Sequence, residues 1–259
     1  MTPTTALVTG ASAGLGYEFA KQLAAQGHQL VLVARNASRL EETAADLHRR
    51  YGATAEVLPA DLTRDADVAA VVERLQDAGR PVGILVNNAG IGLLHNFEDN
   101  PIGAEKDHLK LHVETAMVLT HAALGGMLGR GEGRIINVAS VAAFLPRGTY
   151  SAAKAWLVSF SRWANLAYRK RGIKVTAVCP GFTHTEFHDR MGMDKSVAPS
   201  WTWLRAERVV REGLADNERG KAVSIPSRRY KLVAAVAKLA PARLMAGPAR
   251  KPKPVRNPG

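Results

Sequence analysis

The stretch TALVTGASAGLG, residues 5–16, decides the fold. It begins as an apolar, strand-like run and continues into a loop with glycines at positions 10, 14 and 16. Glycine lets the backbone turn tightly and approach a pyrophosphate, and the first turn of a following helix offers free N–H groups to that anion. The order strand, glycine loop, helix therefore predicts a dinucleotide-binding unit. The spacing is G-x-x-x-G-x-G, and the alternative is that these glycines serve only a tight turn.

The rest of the chain alternates strand-like runs with helical patterns, which predicts a parallel sheet covered on both faces. We predict an α/β protein with a Rossmann-like doubly wound parallel sheet, in three α/β/α layers. Its 259 residues suit a single domain, which we assign to residues 1–247, with a basic disordered tail at 248–259. The predicted strands lie within residues 5–10, 29–35, 55–61, 82–88, 133–140, 173–181 and, as a short seventh, 220–226. The predicted helices include residues 16–26, 37–51, 65–78 and 151–171.

The composition argues against disulfides, metal sites and nucleic-acid binding. The single cysteine, Cys179, excludes an intramolecular disulfide and favours a reducing, cytoplasmic compartment. The eight histidines are scattered, so we expect no metal site. The net charge of +12 is uneven, since residues 227–259 hold nine Lys or Arg and no acid. No pattern of interleaved basic and aromatic residues is visible, so we expect no nucleic-acid partner.

Arg35 indicates which dinucleotide is bound. It ends the second predicted strand, about 20 residues after the glycine loop, where an NAD-binding unit carries an acid for the ribose hydroxyls. A guanidinium at this place can instead bind a 2′-phosphate. We therefore predict NADP(H). The alternative is that Arg35 and Arg39 are only solvated loop residues.

Tyr150 and Lys154, in the stretch GTYSAAKAW, stand four residues apart in a predicted helix. This spacing puts both side chains on one face. An ammonium group near a phenol stabilises the phenolate and lowers the phenol pKa from its ordinary value of about 10. Taken alone, the pair is more typical of a plain helix surface than of an active site.

Three more motifs join the glycine loop: NNAG at 87–90, YSAAK at 150–154 and PGFTHT at 180–185. In this order the four motifs resemble the short-chain dehydrogenase/reductase family over residues 6–244. The resemblance implies an oxidoreductase that interconverts a carbonyl and a secondary alcohol. It implies that Tyr150 is the catalytic acid/base, that Lys154 lowers the pKa of Tyr150, and that Ser140 binds the substrate oxygen.

The resemblance also implies the cofactor contacts. Asp61 would meet the adenine, Thr185 the nicotinamide carboxamide and Lys154 the nicotinamide ribose. With Arg35, the predicted cofactor-binding residues are Gly10, Ser12, Gly14, Leu15, Gly16, Asp61, Asn88, Ala89, Gly90, Tyr150, Lys154, Pro180, Gly181, Thr183 and Thr185.

Two positions depart from the family pattern. His112, in LKLHVETA, stands where many members carry an Asn that positions a water for proton relay. Because a histidine can both donate and accept, we keep His112 as a catalytic candidate; the alternative is an ordinary helix residue. Ser140 also lies only ten residues before Tyr150, which implies a shortened loop and a more open pocket.

The segment after PGFTHTEF indicates the substrate. Phe187, Met191, Met193, Trp201 and Trp203 predict an apolar lining and a hydrophobic alcohol or ketone. The alternative is that these residues only pack a lid helix onto the core.

The stretch SRRYKLVAAVAKLAPARLMAG, residues 227–247, predicts a basic amphipathic helix, and peripheral membrane contact through 227–259 is one interpretation. The other is a helix docked on this chain or on a partner subunit. The resemblance implies a homo-oligomer, a dimer or tetramer. Two alternatives to an enzyme stay open: a cofactor-binding redox sensor or scaffold without turnover, and a peripheral membrane protein that acts through its basic segment.

Overall fold

The computed structural model describes residues 4–93, 95–185 and 199–239. They form one seven-stranded sheet in the order β3-β2-β1-β4-β5-β6-β7, and all neighbouring strands are parallel. The strands are β1 Thr5–Thr9, β2 Gln29–Ala34, β3 Ala55–Pro59, β4 Val82–Asn87, β5 Gly133–Val138, β6 Ile173–Val178 and β7 Val223–Ser224. The α-helices are α1 Gly14–Ala25, α2 Ala37–Tyr51, α3 Asp65–Gln76, α4 Ile102–Leu109, α5 Thr115–Arg130, α6 Gly148–Tyr168, α7 Ala206–Glu218 and α8 Arg228–Leu239.

Helices cover both faces of the sheet, which confirms the predicted Rossmann-like doubly wound fold. On β1, Ala6 and Val8 join the apolar cluster that contains Phe19 of α1. Leu7, between them, joins the other cluster with Val71 of α3. Successive strand residues point to opposite faces, so a strand buried on both sides needs apolar residues at consecutive positions, as the three central residues of β1 show.

The strand order places a crevice between β1 and β4, where the direction of winding reverses. The chain winds outward from β1 to β3 in one direction and then crosses to β4 on the other side of β1. The loops that follow β1 and β4 therefore diverge above the carboxyl ends of these strands. Ligands bind at such a switch point in doubly wound sheets.

Some element bounds differ from those expected. The first helix was predicted at residues 16–26, but it already begins at Gly14. The helix expected at 151–171 begins earlier, at Gly148, and closes in a 3-10 turn, Arg169–Arg171. Phe187, Met191, Met193 and the tail at 248–259 lie outside the described residues.

A π-helical turn, Lys110–Glu114, joins α4 to α5 without a break in the helical path. Such a turn inserts one residue into the helical ladder and is often found at functional sites. Thr115, the first residue after it, donates from its hydroxyl to the Leu62 carbonyl at 2.9 Å. The π turn therefore fixes the rotation at which α5 packs against the loop after β3.

No helix among residues 4–93, 95–185 and 199–239 is long and apolar enough to cross a bilayer.

Candidate active site

The glycine loop lies between β1 and α1, at the switch point. Gly10 and Gly14 have φ values of 67° and 57°, in the left-handed region that favours glycine. Gly16 is required for another reason, because a Cβ there would overlap the Gly10 carbonyl oxygen. The loop thus needs glycine at all three positions.

The N-terminus of α1 is suited to an anion. Ala13 precedes the helix and has no side-chain oxygen to cap it, and the first turn holds no acid. The first N–H groups of a helix have no intrahelical partner and carry partial positive charge. Ser12 and Leu15 beside them are partly exposed. These residues fit the pyrophosphate of a dinucleotide, which would bind to the N–H groups of this turn.

Thr9 holds the loop to the end of β4. Its buried hydroxyl accepts from the N–H of Asn88 at 2.9 Å and of Ala89 at 3.0 Å, and donates to the Val86 carbonyl at 3.3 Å. The Asn88 amide in turn donates to the Thr9 carbonyl at 2.9 Å. Two predicted cofactor residues, Asn88 and Ala89, are therefore positioned by a residue to which the sequence analysis gave no role.

Arg35 and Asp61 lie near each other at the ends of β2 and β3. Burial opposes ionisation of Asp61, but hydrogen bonds from the Thr63 N–H and hydroxyl, with the charges of Arg35 and Arg64, bring its pKa below the ordinary value. Arg35 is exposed. The site edge therefore carries an ionised carboxylate with basic side chains around it.

Ser140, Tyr150 and Lys154 converge beyond the end of β5. The Lys154 ammonium lies 5.7 Å from the Tyr150 ring centroid and donates to the Val138 carbonyl at 2.7 Å. Tyr150 is partly buried and Lys154 is buried. The side chain of Ser140 shares a hydrogen bond with Tyr150 and accepts from the Ala142 N–H at 3.1 Å. The helix predicted around YSAAK thus brings the three residues together.

Burial dominates the pKa values of this group. It raises the pKa of Tyr150 to about 12, although the hydrogen bond with Ser140 opposes the rise. It also lowers the pKa of Lys154 to about 7. Both shifts have the same cause, since desolvation penalises the charged form of each group. That Lys154 lowers the phenol pKa during the reaction stays a prediction.

His112 lies in the π turn and is buried against Gly90. Its Nε2 is 2.8 Å from the Ile91 carbonyl oxygen and 3.2 Å from the Ile91 nitrogen. Burial, with the charges of Lys154 and His108, lowers the His112 pKa well below its ordinary value. The ring is therefore neutral at physiological pH, and within the described part of the chain its Nδ1 has no hydrogen-bond partner.

His108, one turn before, belongs to the same group. Its ring centroid lies 4.5 Å from that of His112 and 5.9 Å from that of Tyr150, and the three rings contact one another. His108 was not among the predicted site residues. The signal was present, since His108 and His112 stand at i and i+4.

A cavity of about 10 Å³ lies beneath Lys154. Its polar lining includes Thr9, Asn87, His112 and Lys154. This is the space that one water molecule requires. Among the described residues, Oδ1 of Asn87 and Nδ1 of His112 are buried atoms without a hydrogen-bond partner, so two of the lining residues each have a polar atom left for such a water.

The PGFTHT segment closes the crevice from the side of β6. Thr185 lies against Gly14, so it contacts the glycine loop directly. Thr183 is buried, and its hydroxyl donates to the Gly181 carbonyl at 2.9 Å. The Pro180 carbonyl accepts from the Val141 N–H at 2.9 Å. Thr185 thus faces the crevice, whereas the hydroxyl of Thr183 is used within its own loop.

Two of the five residues predicted to line an apolar pocket are described. Trp203 is partly buried and packs on Phe182 and His184, with ring centroids 5.5 and 5.0 Å apart. Trp201 is exposed instead. No group of three or more His, Cys, Asp or Glu in the described ranges is placed to share a metal ion.

Fold and site together define a Rossmann-type dinucleotide-binding protein. The family model for short chain dehydrogenases matches residues 4–196. The chain belongs to the short-chain dehydrogenase family. It is therefore an oxidoreductase of that family with a nicotinamide cofactor, and the resemblance inferred from the four motifs is confirmed.

Individual relatives agree with this assignment. Ketoacyl reductase HetN of Nostoc sp. is 34% identical over 187 residues, which cover 70% of this chain and 64% of that relative. A short-chain dehydrogenase from Sphingobium yanoikuyae, solved in complex with NADPH, is 34% identical, with a TM-score of 0.83 over 96% of this chain and 98% of that one. The bulky-bulky ketone specific alcohol dehydrogenase from Comamonas testosteroni is 29% identical, with a TM-score of 0.79 over 99% and 100% of the two chains.

Proposed function

We propose that this protein is an NADP(H)-dependent oxidoreductase that interconverts a hydrophobic ketone and its secondary alcohol, with Tyr150 as acid/base. The observation that carries the proposal is the convergence of Ser140, Tyr150 and Lys154 opposite the glycine loop. The Tyr150 side chain shares a hydrogen bond with Ser140, and the Lys154 ammonium lies 5.7 Å from the Tyr150 ring centroid.

The protonation state of Tyr150 favours reduction. When bound, the nicotinamide supplies or accepts the hydride. Reduction of a ketone also needs a proton at the carbonyl oxygen, and a phenol with a pKa of about 12 holds its proton at neutral pH. Ser140 donates to the carbonyl oxygen and polarises it, and Tyr150 then transfers its proton to the developing alkoxide.

Lys154 makes this transfer less costly. A phenolate forms on Tyr150 as the proton leaves, and a protonated Lys154 stabilises it by charge. Because the pKa of Lys154 is about 7, the ammonium form is available at and below neutral pH. The Val138 carbonyl accepts from the ammonium and fixes its position.

His112 completes a proton path to Lys154. We propose that one water occupies the cavity between His112, Asn87 and Lys154 and returns a proton to the Lys154–Tyr150 pair after each turnover. The unpaired Nδ1 of His112 and Oδ1 of Asn87 support this assignment. His112 itself acts as a neutral donor and acceptor, since burial and nearby charge lower its pKa.

Arg35 supports NADP(H) over NAD(H). It stands exposed at the end of β2, beside the ionised Asp61, where the 2′-phosphate of a bound dinucleotide would lie. The Sphingobium yanoikuyae relative was solved with NADPH. Replacement of Arg35 by aspartate should lower the ratio of kcat/KM for NADPH to that for NADH by about 10–100-fold, the contribution of one charged hydrogen bond.

A bulky, apolar ketone is the proposed substrate. The relative from Comamonas testosteroni is specific for bulky-bulky ketones, and the Nostoc relative is a ketoacyl reductase. Phe182 and Trp203 supply aromatic surface on the PGFTHT side of the crevice.

We also propose a cytoplasmic homo-oligomer. Met117 of α5 and Trp163 and Leu166 of α6 are large apolar residues with exposures of 43%, 54% and 80%. They lie on the two helices that follow His112 and carry Lys154, where a partner subunit would cover them.

The test is NADPH consumption with a panel of hydrophobic ketones. Tyr150→Phe should reduce kcat by about 10²–10⁴-fold, the contribution of a positioned acid, and the variant should still bind NADPH. Tyr168→Phe, in the same helix but away from the crevice, is the matched control and should retain turnover. Undiminished activity of Tyr150→Phe would refute the mechanism, and absence of NADPH binding by the parent chain would refute the cofactor.

A further inference from the structure

The outward face of α8 carries apolar side chains in solvent. Leu232, Val233 and Val236 are 67%, 44% and 51% exposed, whereas Tyr230 and Ala234 of the same helix are buried. Only a narrow stripe of α8 therefore packs against the protein. Its larger aliphatic residues face solvent, whereas in an ordinary surface helix they would face the core.

Basic residues and a tryptophan complete this surface. The Arg229 guanidinium lies 5.3 Å from the Trp201 ring centroid and donates to the Trp201 carbonyl at 2.8 Å. Trp201 is 62% exposed, and Arg228 and Lys231 are exposed beside it. We name this surface the α8 patch, and its members are Trp201, Arg228, Arg229, Lys231, Leu232, Val233 and Val236.

The α8 patch is fixed to the active-site crevice by Tyr230. The Tyr230 hydroxyl accepts from the Phe182 N–H at 3.1 Å and donates to the Thr202 carbonyl at 2.9 Å. Its ring fills the space that a Cβ on Gly181 would need. Gly181 and Phe182 belong to the PGFTHT segment, so α8 packs directly against the wall of the crevice.

We propose that the α8 patch binds an anionic lipid surface. Tryptophan and aliphatic side chains with lysine and arginine beside them are the composition of helices that lie in the membrane interface. The sequence of α8 holds no acid. The Glu212 carboxylate, which lies near Lys231, already accepts from Arg208 at 2.7 Å and from the Ser227 N–H at 3.1 Å. The free charge of the patch is therefore positive.

A second copy of this chain fits the patch less well. A two-fold contact places the same surface on both sides of the interface. Because the patch of each copy contains no acid, Arg228, Arg229 and Lys231 would enter such an interface without an opposite charge. An anionic surface instead neutralises all three and covers the apolar residues. If the proposed function holds, this contact brings the crevice to a membrane that dissolves the hydrophobic substrate.

Sedimentation of the full chain with vesicles tests the proposal. The protein should bind vesicles of phosphatidylcholine and phosphatidylglycerol and should not bind pure phosphatidylcholine. Because each basic residue at an anionic surface contributes about fivefold in partitioning, the double variant Arg228→Gln, Lys231→Gln should bind about 25-fold less. The matched control is Lys170→Gln, Arg171→Gln in the exposed 3-10 turn. It removes the same charge and should retain binding.

Leu232→Ser tests the apolar contribution and should weaken vesicle binding by about tenfold. Equal losses in the control pair, or no binding by the parent chain, would overturn the proposal. A changed elution volume of Leu232→Ser without vesicles would also overturn it, since the patch would then be a protein interface. NADPH consumption with a water-soluble ketone should be the same in all these variants. Its absence in the parent chain would refute the proposed enzyme and leave the vesicle result standing.

Discussion

Replacement of Thr9 by valine tests the link between the glycine loop and β4. Valine has nearly the shape of threonine but no hydroxyl. The change therefore preserves packing at a position that is 2% exposed and removes three hydrogen bonds: those from the N–H groups of Asn88 and Ala89 and that to the Val86 carbonyl.

The expected cost follows from the two N–H groups left without an acceptor. A buried donor without a partner costs about 1–3 kcal/mol. Asn88 and Ala89 are partly buried, so we expect a loss near the lower end, about 2–4 kcal/mol in the free energy of unfolding for the two together. For a chain of this size, each kcal/mol lowers Tm by about 2–4 °C.

Thr9→Ser is the matched control because it keeps the hydroxyl and loses only a methyl group, which costs about 1 kcal/mol. Thermal unfolding of the two variants, with NADPH affinity as a second measurement, distinguishes the loss of hydrogen bonds from the loss of packing. Thr9→Val should be the less stable and the weaker binder, since Asn88 and Ala89 lose their support. If serine destabilises the protein more than valine, packing and not hydrogen bonding holds the loop, and the reasoning is wrong.

Three other predictions follow from the site. Gly16→Ala should destabilise the fold by about 1–3 kcal/mol, because its Cβ would overlap the Gly10 carbonyl; Gly125→Ala, in a helix with open space around it, should be neutral or stabilising in the same urea titration. The kcat/KM for ketone reduction should fall as pH rises through about 7, where Lys154 loses the proton that stabilises the developing phenolate, and a profile flat to about pH 9 would contradict this. Replacement of Lys154 by methionine should remove a rise in stability between about pH 7 and 10, because a depressed pKa makes the folded state bind fewer protons than the unfolded one over that interval; urea titrations at several pH values measure the slope.

Much of the fold could be predicted because its signals are local. The apolar run of β1, the glycines after it and the turn residues between later runs each occupy a few neighbouring positions. Helix α2 was predicted with its observed bounds, Ala37–Tyr51, since Asn36 caps its start and Gly52 ends it in the left-handed conformation. The four motifs could also be recognised in the sequence, because each lies at the end of a strand or opens a helix.

The parts of the site that escaped prediction depend on contacts between distant residues. Thr9 meets Asn88 and Ala89 across 79 and 80 positions, and nothing in the motif itself indicates this. The pKa of Tyr150 depends on burial that only the assembled fold creates, and the spacing of Tyr150 to Lys154 in the sequence does not reveal it. The π turn that carries His112 has no sequence signal that we could recognise.

The π turn between α4 and α5 holds one residue more than the same stretch of α-helix would. Its wider turn absorbs that residue, so α5 keeps the orientation in which Thr115 contacts the Leu62 carbonyl and Ala116 contacts the amide of Asn87. Removal of one residue from Lys110–Glu114 would close the turn into an ordinary helix and leave these contacts in register, whereas removal of one residue from α5 would rotate all that follows by about 100°. Homologues that differ in length by one residue here should therefore differ at this junction and not within α5.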